Sequence, residues 1–181
     1  MQRLQSYLSG TLALGLVYQP SADQDLSFEA YCDANWGSDE SPKSVSGSVI
    51  FFAGGPIDWS SKLQSVVALS SAESEHISAF NASRSIVYYR QFLEELGHAM
   101  FQPTTLWVDN KAAIAQSKNP VNHKTVKHML LKYHYLRDLV SDRQVQLQYV
   151  STIDQLADVF TKPLSRSIFT RLVPFIVRPT L

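Results

Sequence analysis

The stretch "LSFEAYCDANWGS", residues 26–38, decides how the rest of the chain is interpreted. Its apolar side chains alternate, with Phe28, Ala30 and Cys32 on one face, which is typical of a β-strand with one buried face. The strand is predicted to end at Asp33. A carboxylate this close to a core is costly unless a metal ion or a nearby cation compensates its charge, so Asp33 predicts a charged partner.

The composition is that of one globular domain with short additional arms. The chain has 181 residues, 45% of them hydrophobic, and 16 basic residues balance 16 acidic ones. Net charge therefore gives no indication of a nucleic-acid partner. The single cysteine excludes an internal disulfide framework and a zinc site built on cysteines, and it indicates a reducing compartment. No apolar run approaches the roughly 18 residues of a membrane span.

The order of the predicted elements indicates a mixed β-sheet with helices packed against it. Residues 26–69 contain three strands separated by tight turns, which is the pattern of an antiparallel meander. Helices and strands then alternate, beginning with a long helix that Ser70 or Ser71 caps and Gly97 ends, and finishing with a helix over 154–164. The order β-β-β-α-β-α-α-β-α predicts an α/β domain.

Four acidic residues lie where predicted strands end or helices begin. Asp33 and Asp109 follow strands, while Glu75 and Asp158 lie one turn into helices. Strand ends and helix starts at one edge of a mixed sheet can converge on a single cleft.

The long helix offers two glutamates, Glu73 and Glu75, which point to nearly opposite faces because they are two positions apart. Glu75 lies on the stripe predicted to face the sheet, and Glu73 on the more exposed side. Glu75 is therefore favoured as a site residue, and Glu73 is the alternative. The stripe comprises Glu75, Ala79, Ala82, Ile86, Leu93 and Leu96.

Converging carboxylates predict a metal site. Without a cation, they would repel one another and their pKa values would rise. Hard divalent cations relieve this repulsion, and Mg²⁺ is the usual one, with Mn²⁺ as a second choice. Two such ions can stabilise the attacking and leaving oxygens of a phosphodiester. The predicted catalytic and metal-binding residues are Asp33, Glu75, Asp109 and Asp158.

Seven stretches of the sequence occur in the order found in one protein family. They are "YCDANWGSD", "KSVSGSVIFFAGGPIDWSSKLQ", "VALSSAESEHISA", "LWVDNKAAIAQSKNPVNHKTVKHM", "YHYLRD", "QLQYV" and "DQLADVFTKPL". Together they cover roughly residues 27–165 and resemble the ribonuclease H domain of copia-type LTR retrotransposon Pol polyproteins. The N-terminal "MQRLQSYLSGTLALGLVY" resembles the end of the reverse-transcriptase region that precedes this domain.

The resemblance implies an α/β, RNase H-like mixed five-stranded sheet with helices on both faces. It places this domain at residues 26–165, between a reverse-transcriptase tail at 1–25 and a C-terminal tail at 166–181 with no assigned role. It implies a Mg²⁺-dependent endonuclease that cuts the RNA strand of RNA·DNA hybrids, beside the reverse-transcriptase domain of the same polyprotein and away from membranes. The expected location is cytoplasmic virus-like particles or the nucleus. The catalytic roles carry over to the same four acids.

A basic segment over residues 110–137 contains no acidic residue. It predicts a surface that holds phosphates, with binding that depends on salt. Ser44 or Ser46 could in addition contact 2′-hydroxyl groups of RNA. The residues predicted to bind the hybrid are Ser71, Asn110, Lys111, Lys124, Lys127 and His128.

Two other functions are compatible with parts of this pattern. A decayed copy could keep the fold and the basic surface, and bind nucleic acid as a catalytically silent fragment; the four intact acids argue against decay at the site. An integrase-like nuclease shares the fold type. The combination of "DANW", "AESE", "VDN" and "LADVFTKPL" disfavours that second alternative.

Overall fold

The computed structural model describes residues 2–18, 26–37, 41–118 and 127–180 of the chain. The helices are α1 Gln2–Gly10, α2 Ser71–Glu95, α3 Lys111–Lys118, α4 Lys127–Ser141 and α5 Arg166–Leu172. The strands are β1 Leu14–Gly15, β2 Phe28–Asn35, β3 Val45–Phe52, β4 Gly55–Leu63, β5 Thr104–Val108, β6 Val145–Tyr149 and β7 Arg178–Pro179. Short 3-10 helices span Thr152–Asp154, Leu156–Phe160 and Val173–Phe175. Within these ranges, no helix is both long enough and apolar enough to cross a membrane.

Five strands form the central sheet in the order β4-β3-β2-β5-β6. Strands β2, β3 and β4 are the antiparallel meander, and β5 and β6 extend the sheet in parallel with β2. The mixed five-stranded sheet expected from the sequence is therefore confirmed. Because β2 and β5 are parallel neighbours, the residues at their carboxyl ends lie at the same edge of the sheet.

Helices α2 and α4 pack on one face of the sheet. Alternate residues of β2, including Ala30 and Cys32, are buried in the same cluster as Ala79 and Ile86 of α2. These α2 residues belong to the stripe that the sequence predicted to face the sheet, and its apolar members are buried as far as Leu93. The prediction was wrong for Leu96, which is exposed because it follows the last helical residue, at the point where the chain turns away.

The ends of α2 show which capping residues operate. Ser70 is the N-cap, and its hydroxyl oxygen accepts a hydrogen bond of 3.2 Å from the backbone N–H of Glu73. At the other end, Gly97 has a φ of +86°, and the N–H of His98 donates back to the carbonyl of Leu93 at 2.8 Å. This left-handed ending favours glycine, so Gly97 ends the helix as predicted.

The second face of the sheet is covered by the C-terminal part of the chain. Val49 and Phe51 of β3 are buried against Leu156, Leu172 and Ile176. Helices therefore lie on both faces, as expected. The tail after residue 165, to which the sequence assigned no role, forms much of this second cover.

One predicted helix has a different form. Residues 154–164 were expected to form a single α-helix, whereas the structure has the 3-10 helix Leu156–Phe160, in which the N–H of Asp158 donates to the carbonyl of Gln155. The side-chain oxygen of Gln155 caps it by accepting from the N–H of Ala157 at 3.2 Å. Pro163 follows too closely for a longer helix, and 3-10 geometry is typical of such short segments.

The two termini of the described chain meet on this second face. Strand β1 pairs antiparallel with β7, and the ring of Tyr7 in α1 contacts the ring of Phe169 in α5 edge-on, with centroids 5.7 Å apart. The predicted N-terminal helix is present, whereas the predicted strand that follows it has only the two residues of β1.

Candidate active site

Asp33 lies on β2 and is only 2% exposed. The strand continues to Asn35, so Asp33 does not end it as the sequence suggested. Its carboxylate oxygen Oδ2 accepts a hydrogen bond of 2.6 Å from the hydroxyl of Thr161, on the segment after the 3-10 helix Leu156–Phe160. Asp33 therefore has a polar partner on the second face of the sheet.

Gly47, opposite Asp33 on β3, allows this segment to approach the sheet. A Cβ atom built on Gly47 would lie 2.6 Å from the side chain of Thr161 and 2.8 Å from the carbonyl of Ala157. No side chain fits in that space. The absence of a side chain at position 47 therefore lets Thr161 reach Asp33.

Three carboxylates converge at the edge of the sheet. Asp33, Glu75 and Asp109 each offer an oxygen atom, and these atoms lie within 4.8 Å of one another. Asp109 directly follows β5, the parallel neighbour of β2, and Glu75 lies in the first turns of α2. We call these three residues the carboxylate cluster.

The two glutamates of α2 have different environments. Glu75 belongs to the carboxylate cluster, whereas an oxygen of Glu73 accepts a hydrogen bond of 2.8 Å from the backbone N–H of Leu69. Glu73 thereby satisfies a free N–H just before the helix, which is the role of a capping glutamate. The structure thus brings the favoured residue, and not the alternative, to Asp33 and Asp109.

The electrostatics of the carboxylate cluster are unfavourable without a cation. Burial, together with the negative charges of Asp33 and Asp109, raises the pKa of Glu75 to about 9. Burial also raises the pKa of Asp109, although the hydroxyl of Thr152 donates to its Oδ2 at 2.9 Å and partly offsets this effect. A divalent cation would remove the repulsion, and carboxylate oxygens are the ligands that Mg²⁺ and Mn²⁺ prefer. The donor set therefore fits such an ion.

Asp158 lies outside the carboxylate cluster and has a cation of its own. The Nζ of Lys162 lies 2.8 Å from Oδ1 of Asp158 and 3.7 Å from Oδ2 of Asp33. Burial raises the pKa of Asp158 to about 7, against the opposing effect of Lys162. The two carboxylates in turn raise the pKa of Lys162, outweighing the effect of its own partial burial. We call Asp33, Asp158 and Lys162 the lysine bridge.

The predicted substrate residues differ in what the structure shows of them. Asn110 is occupied as a cap, because its side-chain oxygen accepts from the N–H of Ala112 at 2.9 Å, at the start of α3. Lys111 is exposed, with Nζ 4.8 Å from the ring centre of Tyr149. Ser71 is exposed at the first position of α2.

The rest of the predicted basic surface is only partly described. Lys124 lies outside the described residues, and so do the side chains of Lys127 and His128, although their backbone forms the start of α4. Ser44 and Ser46 are buried in the structure. Ser46 accepts a hydrogen bond of 2.8 Å from Gln64, so its hydroxyl already has a partner within the protein.

Three polar residues at the site were missed from the sequence: Lys162, Thr161 and Thr152. Lys162 follows Asp158 by four positions, a spacing at which side chains of opposite charge can meet, so this signal was present. The two threonines carried no comparable signal. They reach Asp33 and Asp109 across 128 and 43 positions of sequence respectively, which only the folded chain reveals.

The curated proteins that match nine-tenths of this chain include retrotransposon polyproteins. The chain is 38% identical over 170 residues to the retrovirus-related Pol polyprotein from transposon RE1 of Arabidopsis thaliana, a match that covers 93% of the chain. It is 35% identical over 164 residues to that from transposon TNT 1-94 of Nicotiana tabacum, covering 90% of the chain. The chain spans about 12% of the length of each polyprotein. No protein-family model matches the chain.

Solved structures similar to this one include RNase H domains. The N-terminal RNase H domain of Rv2228c from Mycobacterium tuberculosis superposes with a TM-score of 0.54 at 12% identity, covering 82% of this chain and 97% of that one. LC11-RNase H1, solved in complex with an RNA/DNA hybrid, has a TM-score of 0.52 at 15% identity, covering 75% of this chain and 94% of that one. At these identities the likeness shows the fold alone. The chain is therefore homologous to one segment of the retrovirus-related Pol polyproteins of copia-like transposons, and it has a ribonuclease H-like fold.

Proposed function

We propose that this chain is an endonuclease that hydrolyses the RNA strand of RNA·DNA hybrids with divalent metal ions, in the service of retrotransposon reverse transcription. The observation that carries the proposal is the carboxylate cluster, at the edge of an RNase H-like sheet in a chain homologous to Pol polyproteins. Within a polyprotein, the domain would act beside a reverse-transcriptase domain, in cytoplasmic particles or in the nucleus.

The residues proposed to hold the metal ions are Asp33, Glu75 and Asp109, with Asp158 completing a second position. Two bound ions would supply positive charge at the attacking and leaving oxygens of the scissile phosphate. The bond that breaks joins phosphorus to the 3′-oxygen of the RNA, and water supplies the new oxygen. The products carry a 3′-hydroxyl and a 5′-phosphate.

The protein's own contribution is charge and position, without a covalent intermediate. Lys162 keeps the carboxylates of Asp33 and Asp158 close together before any ion binds. Thr161 and Thr152 each hold one carboxylate oxygen, which limits the rotation of Asp33 and Asp109. The residues proposed to contact the hybrid are Ser71, Asn110, Lys111, Lys124, Lys127 and His128. The side-chain oxygen of Asn110 also caps α3 beside the carboxylate cluster.

The test is cleavage of a hybrid labelled on each strand, with Mg²⁺, Mn²⁺ or EDTA, by the purified chain and by Asp109→Asn. Asp142→Asn is the matched control, because Asp142 is an exposed acid at the end of α4. We expect metal-dependent cutting of the RNA strand alone, lost only in Asp109→Asn. A folded chain that binds the hybrid without cutting it would instead support the catalytically silent binding protein.

A further inference from the structure

A polar groove lies beside the covered part of the sheet. Helix α2 packs over β2 and β3 and leaves the edge strand β4 largely uncovered. Where the helix covers the sheet, the residues facing it are apolar, such as Ala30 and Cys32. Beyond the helix, the same face carries Ser48 and Ser60. The result is a groove of about 600 Å³ between α2 and the exposed face of β3 and β4, which we call the β4 groove.

Three cationic side chains from three different elements line the β4 groove: Lys62 of β4, Arg84 of α2 and Lys132 of α4. None of them takes part in an ion pair among the described residues. Arg84 and Lys132 both lie near the ring of Phe80, at 5.9 Å and 5.7 Å from its centre. Asp58 is the single acid among the described residues that line this groove. The β4 groove therefore carries a net positive charge.

An unsatisfied polar atom lies at the end of the groove nearest the carboxylate cluster. Gln64 is 4% exposed, and its Nε2 donates to Ser46 at 2.8 Å and to the carbonyl of Ser74 at 2.9 Å. Its Oε1 has no hydrogen-bond partner among the described residues. This oxygen is enclosed by protein, so Gln64 forms part of the groove wall without offering an accessible acceptor.

The far end of the groove opens onto a pair of exposed aromatic rings. Tyr88, which lines the groove, is 61% exposed, and Phe92, one helical turn later, is 45% exposed. Their rings are almost parallel, with an angle of 7° and centroids 6.5 Å apart. Exposed rings beside a positive groove are the combination by which proteins bind single-stranded nucleic acids, through phosphates and stacked bases.

We propose that the β4 groove binds a single-stranded continuation of the nucleic acid, with Lys62, Arg84 and Lys132 contacting phosphates and Tyr88 stacking on a base. A lone phosphate would need only one of the cations, whereas an extended strand can contact all three. The proposal goes beyond hybrid cleavage, because such binding does not depend on the chemistry at the carboxylate cluster.

The first experiment measures binding by fluorescence anisotropy in an Asp109→Asn background, so that cleavage does not consume the probe. The probes are a blunt RNA·DNA hybrid, the same hybrid with a single-stranded extension, and the free single strand. We expect the double variant Lys62→Ala/Arg84→Ala to bind the extended hybrid about tenfold more weakly and to leave the blunt hybrid unchanged. The plot of log affinity against log salt concentration should become less steep for this variant. Its slope should lose about 1.4 in magnitude, or about 0.7 for each of two phosphate contacts.

The matched control for charge is Arg166→Ala/Arg178→Ala, which removes two exposed arginines from α5 and β7. It should bind every probe as the parent does. For the aromatic platform, Tyr88→Ala should weaken single-strand binding by roughly tenfold, while Tyr88→Phe should retain it. Circular dichroism and thermal melting of each variant verify that it is folded.

Two outcomes would overturn the proposal. One is that Lys62→Ala/Arg84→Ala binds every probe as the control double variant does. The other is an equal loss for blunt and extended hybrids, which would indicate non-specific attraction rather than binding in the groove. Cleavage by the parent chain is measured separately, so a chain that cuts without a groove effect refutes only this proposal. A chain that shows the groove effect but never cuts refutes only the nuclease.

Discussion

On the α2 side of Asp33, two further carboxylates converge and neither forms an ion pair within the described residues, whereas on the side of the 3-10 helix Lys162 lies between Asp33 and Asp158. The carboxylate cluster and the lysine bridge therefore share one residue but differ in what neutralises them. The bridge already has a counter-charge from Lys162, whereas the cluster relies on an external ion, to which Asp158 is proposed to add a ligand at a second position. This difference teaches that a lysine of the chain can neutralise the acidic residues on one side of a site, while the carboxylates on the other side stay available to bind a metal ion.

The largest effect is expected from replacing Glu75, the glutamate of α2 that belongs to the carboxylate cluster. Mutating a residue that only supports a metal ligand costs up to about a hundredfold in metal affinity or activity. Glu75 is proposed as a ligand itself, so Glu75→Gln should lower metal affinity and hybrid cleavage by more than about a hundredfold. In EDTA at neutral pH the same variant should melt at a higher temperature than the parent, because burial and the neighbouring carboxylates raise the pKa of Glu75 to about 9, so that Glu75 must take up a proton on folding and glutamine need not. Calorimetric metal titration and thermal melting measure these effects.

Glu73→Gln is the matched control, since it changes the same helix by the same chemistry. It should keep cleavage within a few-fold of the parent and cost at most about 1 kcal/mol of stability, because glutamine keeps an oxygen that can accept from Leu69 and loses only the charge at the helix start. Equal losses of metal affinity in both glutamine variants would contradict the distinction between the two residues.

Lys162→Met tests the lysine bridge. Removing the cation leaves Asp33 and Asp158 without a counter-charge, and in EDTA this should lower the free energy of unfolding by about 1–3 kcal/mol. That is below the range for fully buried pairs because Lys162 is partly exposed. Saturating Mg²⁺ should restore most of that loss, since an ion can take over the missing charge. Denaturant unfolding with and without Mg²⁺ gives both values; a loss that Mg²⁺ does not change would show that Lys162 acts only by packing.

Gly47→Ala tests how closely the 3-10 segment must approach the sheet. The added methyl group would overlap Thr161 and the carbonyl of Ala157, at an expected cost of about 1–3 kcal/mol. Gly10→Ala is the control, because a Cβ atom at Gly10 meets nothing within 4 Å. Chemical denaturation of both variants checks the prediction, and similar stability of the two would mean that the segment can simply move away.

The smallest effect is expected at the hydrogen bond between Thr161 and Asp33. Thr161→Val removes the hydroxyl with little change in shape, and should cost about 1 kcal/mol while slowing cleavage by less than about tenfold. Thr161→Ser keeps the hydroxyl and should behave nearly like the parent. If valine and serine have the same stability and rate, the bond does not position Asp33.

The sequence predicted those parts of the fold that have a regular pattern. Alternation identified the strands, and the helical stripe selected Glu75 over Glu73 before any geometry was known. Helices on both faces were implied by the resemblance, but the part that the tail after residue 165 takes in covering the second face was not predicted, because α5 and the 3-10 helices are too short to show a period. The partners of Asp33 and Asp109 were missed for another reason: Thr161 and Thr152 are joined to them only by the folded chain.

The burial of Leu172 and Ile176 against β3 has a consequence for the order of folding. The meander of β2, β3 and β4 can form soon after its residues are synthesised, but Leu156, the first of the residues that cover its second face, follows β4 by 93 positions, and Leu172 and Ile176 follow later still. Contacts so distant in sequence form slowly and leave apolar surface exposed meanwhile. We therefore expect the nascent chain to pass through a half-covered intermediate, in which Asp33 still lacks the segment that carries Thr161 and Lys162.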